Sequence, residues 1–365
     1  MDFIALPKIE VQPPYPLSSP IPPKARNHRS LTHLQLHAHL TGSISRQTLH
    51  EIWLKKSAAK ETDLQDPLLV IPEGKHDYNL ETKYIYALLT DEISLRHATL
   101  SVLQSFLLDG VIYLELRTTP RPTPLLSTTQ YISILLDTIS SFETSHPSLH
   151  TRLILSIDRR HDFATASSIL DLALSLPSRI VGLDLCGDPA ARPGGQVALF
   201  TPLFEKAREA GLGITLHFAE AESSASEAEL QTLLGWRPHR LGHVICEDQD
   251  AKRAIAQRKD ELCLELCLSC NVQAGMVKSG FEGHHFGEWT AVEGIKVSLG
   301  GKKADGFAQT DDVGIFGSPL SNEYRLVAQH FRLDDSQIRA LAREPIDHIF
   351  GGDLEKERLR QLMWP

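Results

Sequence analysis

The first residues in the chain that could do chemistry are two histidines one residue apart, in Leu36-His37-Ala38-His39-Leu40. In a β-strand, residues two apart point to the same face, so His37 and His39 would converge and form half of a metal site. Taken alone, the pair reads equally well as two packed or solvent-facing side chains. His217 closes the run Ile214-Thr215-Leu216-His217, His243 closes Arg240-Leu241-Gly242-His243, and Asp311 and Asp312 follow the run that begins at Val297. Each of these is an ordinary structural residue when read singly; together they place polar groups at the ends of separate strand-like runs. His37, His39, His217 and Asp311 form a donor set that suits zinc and leaves room for a water. Glu220 lies three residues past His217, so a turn there brings its carboxyl over the same place, where it could serve as acid and base. The alternative for Glu220 is an N-cap or an exposed acid near Glu222 and Glu227. Gly187-Asp188-Pro189 marks a tight turn or a close approach of backbone to a ligand.

The elements that must carry these residues follow from the hydrophobic rhythm. Strand-like runs fall at 33–38, 111–117, 151–157, 180–185, 213–217, 240–245, 262–267 and 295–299. Amphipathic stretches lie between them, such as Ile44–Lys56, Leu95–Leu108, Phe200–Ala210 and Ala251–Arg258. Eight strands alternating with helices imply an α/β fold, a (β/α)8 TIM barrel, with the candidate residues at the C-terminal strand ends where such barrels build their sites. Residues 57–79 read as a loop or short-helix excursion near the barrel mouth. Residues 1–30 hold seven prolines between Pro7 and Pro23 and form an extended lead-in, with the barrel spanning 31–365.

Composition narrows the function classes. With 46 acidic against 37 basic residues and a net charge of −9, the composition argues against a general nucleic-acid surface, although one small phosphorylated substrate is compatible with it. No leader-like N-terminus and no run of about 18 apolar residues is present, so the expectation is a soluble protein without membrane association. Five cysteines (Cys186, Cys246, Cys263, Cys267 and Cys270) fit reduced thiols and a cytoplasmic location. Cys263-x-x-x-Cys267-x-x-Cys270 has an iron–sulfur spacing, but its first cysteines sit within an apparent strand, where cysteine serves as a small core residue.

In order, His37-x-His39, Gly182-Leu183-Asp184-x-x-Gly187-Asp188, His217-x-x-Glu220, His243 and Thr310-Asp311-Asp312 resemble the motifs of the adenosine and AMP deaminase family. Within it, Asp109 to Arg121, Ile157-Asp158-Arg159-Arg160 and Glu265-Leu266-Cys267 resemble the adenosine-deaminase-like branch that acts on N6-methyl-AMP. The resemblance implies one zinc per chain on His37, His39, His217 and Asp311, with His243 and Asp311 orienting the water and Glu220 shuttling the proton. It places His39 and the backbone of Gly187 near the purine, with Asp312 on a ring nitrogen. Thr118, Thr119, Pro120, Arg121 and Asp158 are implied at the sugar and phosphate end. Arg121 is the expected phosphate partner because a guanidinium matches phosphate oxygens in bidentate fashion. The implied reaction is hydrolytic deamination of a 6-aminopurine nucleotide or nucleoside by a monomeric enzyme, with N6-methyl-AMP giving IMP and methylamine.

Three positions depart from that pattern. Thr41 stands where the branch has Asn, and Tyr86 where it has a substrate-facing His. A polar, glycine-containing insertion at 300–309 separates strand 295–299 from Asp311. If the insertion displaced Asp311, the chain would be a purine-nucleotide binder without a working metal site. The remaining alternatives are an adenosine or adenine deaminase and an amidohydrolase of another cyclic amidine. No lysine is placed at a strand end to bridge two metals, so the expected site is mononuclear.

Overall fold

The computed structural model describes residues 32–71, 78–300 and 319–363. The proline-rich segment 1–30, positions 301–309 of the insertion, and Thr310, Asp311 and Asp312 lie outside the described residues.

Eight parallel strands form a single sheet in sequence order: β1 (His33–His39), β2 (Val111–Thr118), β3 (His150–Asp158), β4 (Ile180–Cys186), β5 (Gly213–Phe218), β6 (Arg240–His243), β7 (Cys263–Leu266) and β8 (Lys296–Leu299). Each pairs with the next, and β8 returns beside β1, giving the (β/α)8 barrel. The strands read as apolar runs because both faces are covered, as parallel sheets require. In β1, Leu34, Leu36 and Ala38 join the apolar core, while Gln35 and His37, equally buried, alternate with them. β6 is shorter than the expected 240–245. It stops at His243 because His243 and Val244 adopt left-handed backbone angles, φ 66° and 52°, which a strand cannot contain.

The helices form where the amphipathic stretches predicted them. These are α1 (Arg46–Ala58), α2 (Pro67–Val70), α3 (Tyr78–Leu88), α4 (Glu92–Leu108), α5 (Thr128–Ser145), α6 (Phe163–Ser175), α7 (Thr201–Glu209), α8 (Glu227–Gly235), α9 (Gln249–Gln257), α10 (Leu268–Gln273) and α11 (Phe286–Thr290), with further helices after β8. Side-chain caps set several starts: Asp91 and Ser94 close a capping box at α4, Ser127 and Gln130 another at α5. The 57–79 excursion contains α2 and the first turn of α3. Among the described residues, no helix is long and apolar enough to cross a membrane.

Charged residues occupy the barrel interior. Arg117 pairs with Asp184 at 3.2 Å and with Glu265, while Arg240 meets Glu115 at 2.5 Å and Glu265 at 2.7 Å. The floor is closed by Phe350, whose ring lies 3.7 Å from the Arg240 guanidinium. Gly182 and Gly213 make room for it, since a Cβ on Gly213 would come within 2.3 Å of that ring.

Candidate active site

Strand alternation brings His37 and His39 to the mouth, and β5 delivers His217 between them. The potential ligand atoms of these three residues all lie within 4.8 Å of one another. Two of the rings are oriented from behind. His37 donates Nδ1–H to Glu265 Oε2 at 2.8 Å, and His217 donates Nδ1–H to the Leu185 carbonyl at 2.9 Å, with Asp184 Oδ1 at 3.2 Å. Those bonds fix the tautomers and leave both Nε2 lone pairs facing the mouth, the usual arrangement behind metal-bound histidines. Arg117 Nη1 approaches His37 Nε2 only at 3.4 Å, the limit of hydrogen-bonding distance. Nε2 of His217 lies 3.2 Å from Nε2 of His39. Two ligand nitrogens of a tetrahedral zinc at about 2.0–2.1 Å stand about 3.3 Å apart, so this donor set fits the ion.

The carboxylates behind the imidazoles remain charged. Burial pushes the Asp184 carboxyl up, but His217 and Arg117 outweigh it and hold the group well below the usual carboxylate range. Glu265 behaves likewise, with Arg117 and Arg240 overriding burial. Two guanidiniums against three carboxylates (Glu115, Asp184 and Glu265) leave a net negative charge behind the imidazoles, which favours a cation in front of them. A second donor set of His39, Asp184 and Cys186 is geometrically close, but burial pushes the Cys186 thiol well above its ordinary value and keeps it a poor ligand. The Cys263, Cys267 and Cys270 sulfurs form no metal-type group among the described residues.

Glu220 follows β5 and is 4% exposed. Its Oε1 lies 3.7 Å from His243 Nε2, so the expected proton shuttle and the histidine expected to orient the water face each other. The chain reaches this geometry through left-handed Ala219, φ 48°, whose carbonyl accepts from the amides of Ile245 and Cys246. Arg159 is paired with Glu229 of α8 at 2.5 Å and donates to the His217 carbonyl at 3.1 Å, tying β3 to β5.

The expected sugar and phosphate end lies over β2 to β4. Arg121 stacks on the Tyr86 ring at 4.1 Å, and its Nε and Nη2 are buried without a hydrogen-bond partner. Tyr86 is thus the platform for that guanidinium. Gly187, φ 94°, lies against Asp158, where a Cβ would come within 2.5 Å of the carboxylate. Burial raises the Asp158 carboxyl, yet hydrogen bonds from Arg160, at 2.8 Å from Nε and 2.5 Å from Nη2, hold it below its ordinary range. Thr119 approaches Cys186 at 3.7 Å, and Pro120 is buried beside Arg121. Thr41 sits in the turn after β1.

Thr118 departs from expectation. Its hydroxyl bonds to Tyr131 of α5 at 3.0 Å, on the outer side of the barrel. Arg117 and Thr119 take the inward positions, so period-two alternation turns Thr118 away. Sequence reasoning also missed Asn271, His284 and His285, which surround His243. Nδ1 of His243 lies 3.1 Å from the Asn271 amide, and His285 Nε2 lies 2.7 Å from the His243 carbonyl.

A parallel barrel with three imidazoles, a fourth histidine and a buried glutamate at its C-terminal mouth defines a barrel hydrolase. The adenosine deaminase family model matches residues 33–364, and the chain belongs to that family, as a hydrolytic deaminase. The N6-methyl-AMP deaminase of Bos taurus is 33% identical over 354 residues, covering 93% of this chain and 95% of that protein. Arabidopsis ADAL complexed with GMP is similar in structure at a TM-score of 0.81 and 30% identity, covering 92% of this chain and 97% of that one. Arabidopsis ADAL complexed with IMP gives 0.79 at the same identity and coverage.

Proposed function

We propose that the protein is a zinc-dependent deaminase of 6-aminopurine nucleotides, converting N6-methyl-AMP and water to IMP and methylamine. His37, His39 and His217 hold the metal, with Asp311 as the fourth ligand that the family motif implies. Zinc there supplies the Lewis acidity that makes water a nucleophile at neutral pH. Glu220 gives a proton to purine N1, which makes C6 electrophilic, and later moves a proton to the departing amine. His243 and Asp311 orient the water, while the Gly187 backbone and Asp312 hold the ring.

The observation that carries the nucleotide part of this reading is Arg121. A guanidinium with two buried N–H groups and no partner among the described residues is costly unless an anion completes it. Stacked on Tyr86 at the mouth, it is set to take a phosphate in bidentate fashion. Asp158, Thr119 and Pro120 line the approach from the sugar. Relatives named N6-methyl-AMP deaminase and neighbours complexed with GMP and IMP support the same class of ligand. The test compares kcat/KM for N6-methyl-AMP and N6-methyladenosine on zinc-loaded protein. The nucleotide is expected to be preferred by at least about 10-fold, the value of one charge-assisted hydrogen bond; equal values would remove the phosphate from the assignment.

A further inference from the structure

His243 is gripped at two points by consecutive histidines. His285 donates Nε2–H to the His243 carbonyl at 2.7 Å, which supports the left-handed backbone of His243 and Val244. His284 reaches the His243 ring through Asn271: as placed, Asn271 Nδ2 lies 3.1 Å from His284 Nε2 and Oδ1 3.1 Å from His243 Nδ1, an orientation that the hydrogen bonds around it reverse.

The direction of this chain is set at its far end. The backbone N–H of Phe286 donates to His284 Nδ1 at 3.0 Å, and a backbone amide has no other role available to it. Nδ1 of His284 is therefore bare. Burial, with His285 and His243 beside it, pushes His284 down to about 2, so the ring carries a single proton, and that proton is on Nε2. It needs an acceptor, and Asn271 is the group in reach. With the amide nitrogen toward His284, two N–H donors would stand face to face in a buried place. The two ends of an amide have the same shape, so the hydrogen-bond chain decides its orientation. Oδ1 must face His284, and Nδ2 then donates to His243 Nδ1.

We propose that Phe286, His284 and Asn271 act as a positioning relay that holds His243 in the tautomer carrying its proton on Nε2. That N–H faces Glu220 Oε1, 3.7 Å away. His243 thus presents a hydrogen-bond donor to the site and has no lone pair there with which to take a proton. The consequence for catalysis rests on the deaminase reading: Glu220 is the proton acceptor of the pair, and His243 a fixed donor to the water oxygen and to the carboxylate.

The test is nitrogen NMR of the full-length, zinc-loaded protein labelled at its histidines, with the His243 signals assigned by their loss in His243→Gln. A bare Nδ1 and a protonated Nε2 are expected. A protonated Nδ1 with bare Nε2, or a ring protonated at both nitrogens, overturns the proposal. Asn271→Asp offers only acceptors, so it should draw the His243 proton to Nδ1. It is expected to lower kcat by about 100-fold with KM and zinc content unchanged. Unchanged kcat after the proton has moved would overturn the catalytic consequence. A protein with protonated Nε2 and no turnover would separate the two readings, since the relay would stand and the deaminase would fall.

Discussion

On the proposed function, Glu220 and Arg121 act at separate ends of the substrate, and single substitutions distinguish them. Glu220 is buried, faces His243 and touches none of the bonds that orient His37 and His217. Glu220→Gln keeps the shape and removes the proton, so turnover should fall by about 100-fold or more while zinc content, measured by metal analysis, stays unchanged. A variant with full activity would strip Glu220 of its role. On the proposed reading, Arg121 belongs to the other end of the substrate. Losing its guanidinium removes one or two charge-assisted hydrogen bonds, so Arg121→Ala should cut kcat/KM for N6-methyl-AMP by about 10- to 100-fold and leave the nucleoside nearly unaffected. An equal loss on both substrates would mean that Arg121 only supports the local fold.

The strands impose the geometry on which those side chains depend. Alternation of period two puts His37 and His39 on one face, and it also turns Thr118 toward Tyr131 and out of the mouth. The first of these was legible because the spacing is the signal. The second was not, because a motif names neighbours without saying which way each points. All eight strands were legible for a related reason: each is buried on both faces and carries a run rich in apolar residues even where polar side chains point into the barrel. The groups that orient the imidazoles left no local signal. Arg117 and Glu265 are 148 residues apart in sequence and meet only because β2 and β7 face each other across the barrel. Asn271, His284 and His285 acquire meaning only once α10 and the turn before α11 are folded beside His243. At the floor, Gly213→Ala should drive a Cβ into Phe350 and cost about 1–3 kcal/mol, seen as a lowered Tm, with zinc binding at the opposite end retained. An unchanged Tm would show that Phe350 does not seal the floor.

Over the whole molecule, stability and activity draw on opposite ends of the barrel. His239 and His348 are both pushed down to about 4, first by burial and then by arginines beside them, Arg208 and Arg240 for His239 and Arg240 for His348. The Ile214 amide donates to His239 Nδ1 at 2.9 Å, which requires that nitrogen to be bare. Unfolded histidine titrates near about 6.5. Between about pH 6.5 and 4 the unfolded chain therefore binds protons that the native chain refuses, and stability falls as pH drops through that window. Tm should decline across it, and His348→Asn should make the decline shallower; a slope identical to that of the parent would contradict the assignment. The central claim concerns the other end, where His37, His39 and His217 converge. It is tested most directly by loading the protein with zinc, measuring the metal bound, and following N6-methyl-AMP, AMP, adenosine and adenine for release of the 6-oxopurine. One zinc per chain with N6-methyl-AMP turned over to IMP and an equal amount of methylamine is the predicted result. One zinc per chain with none of the four converted would contradict it.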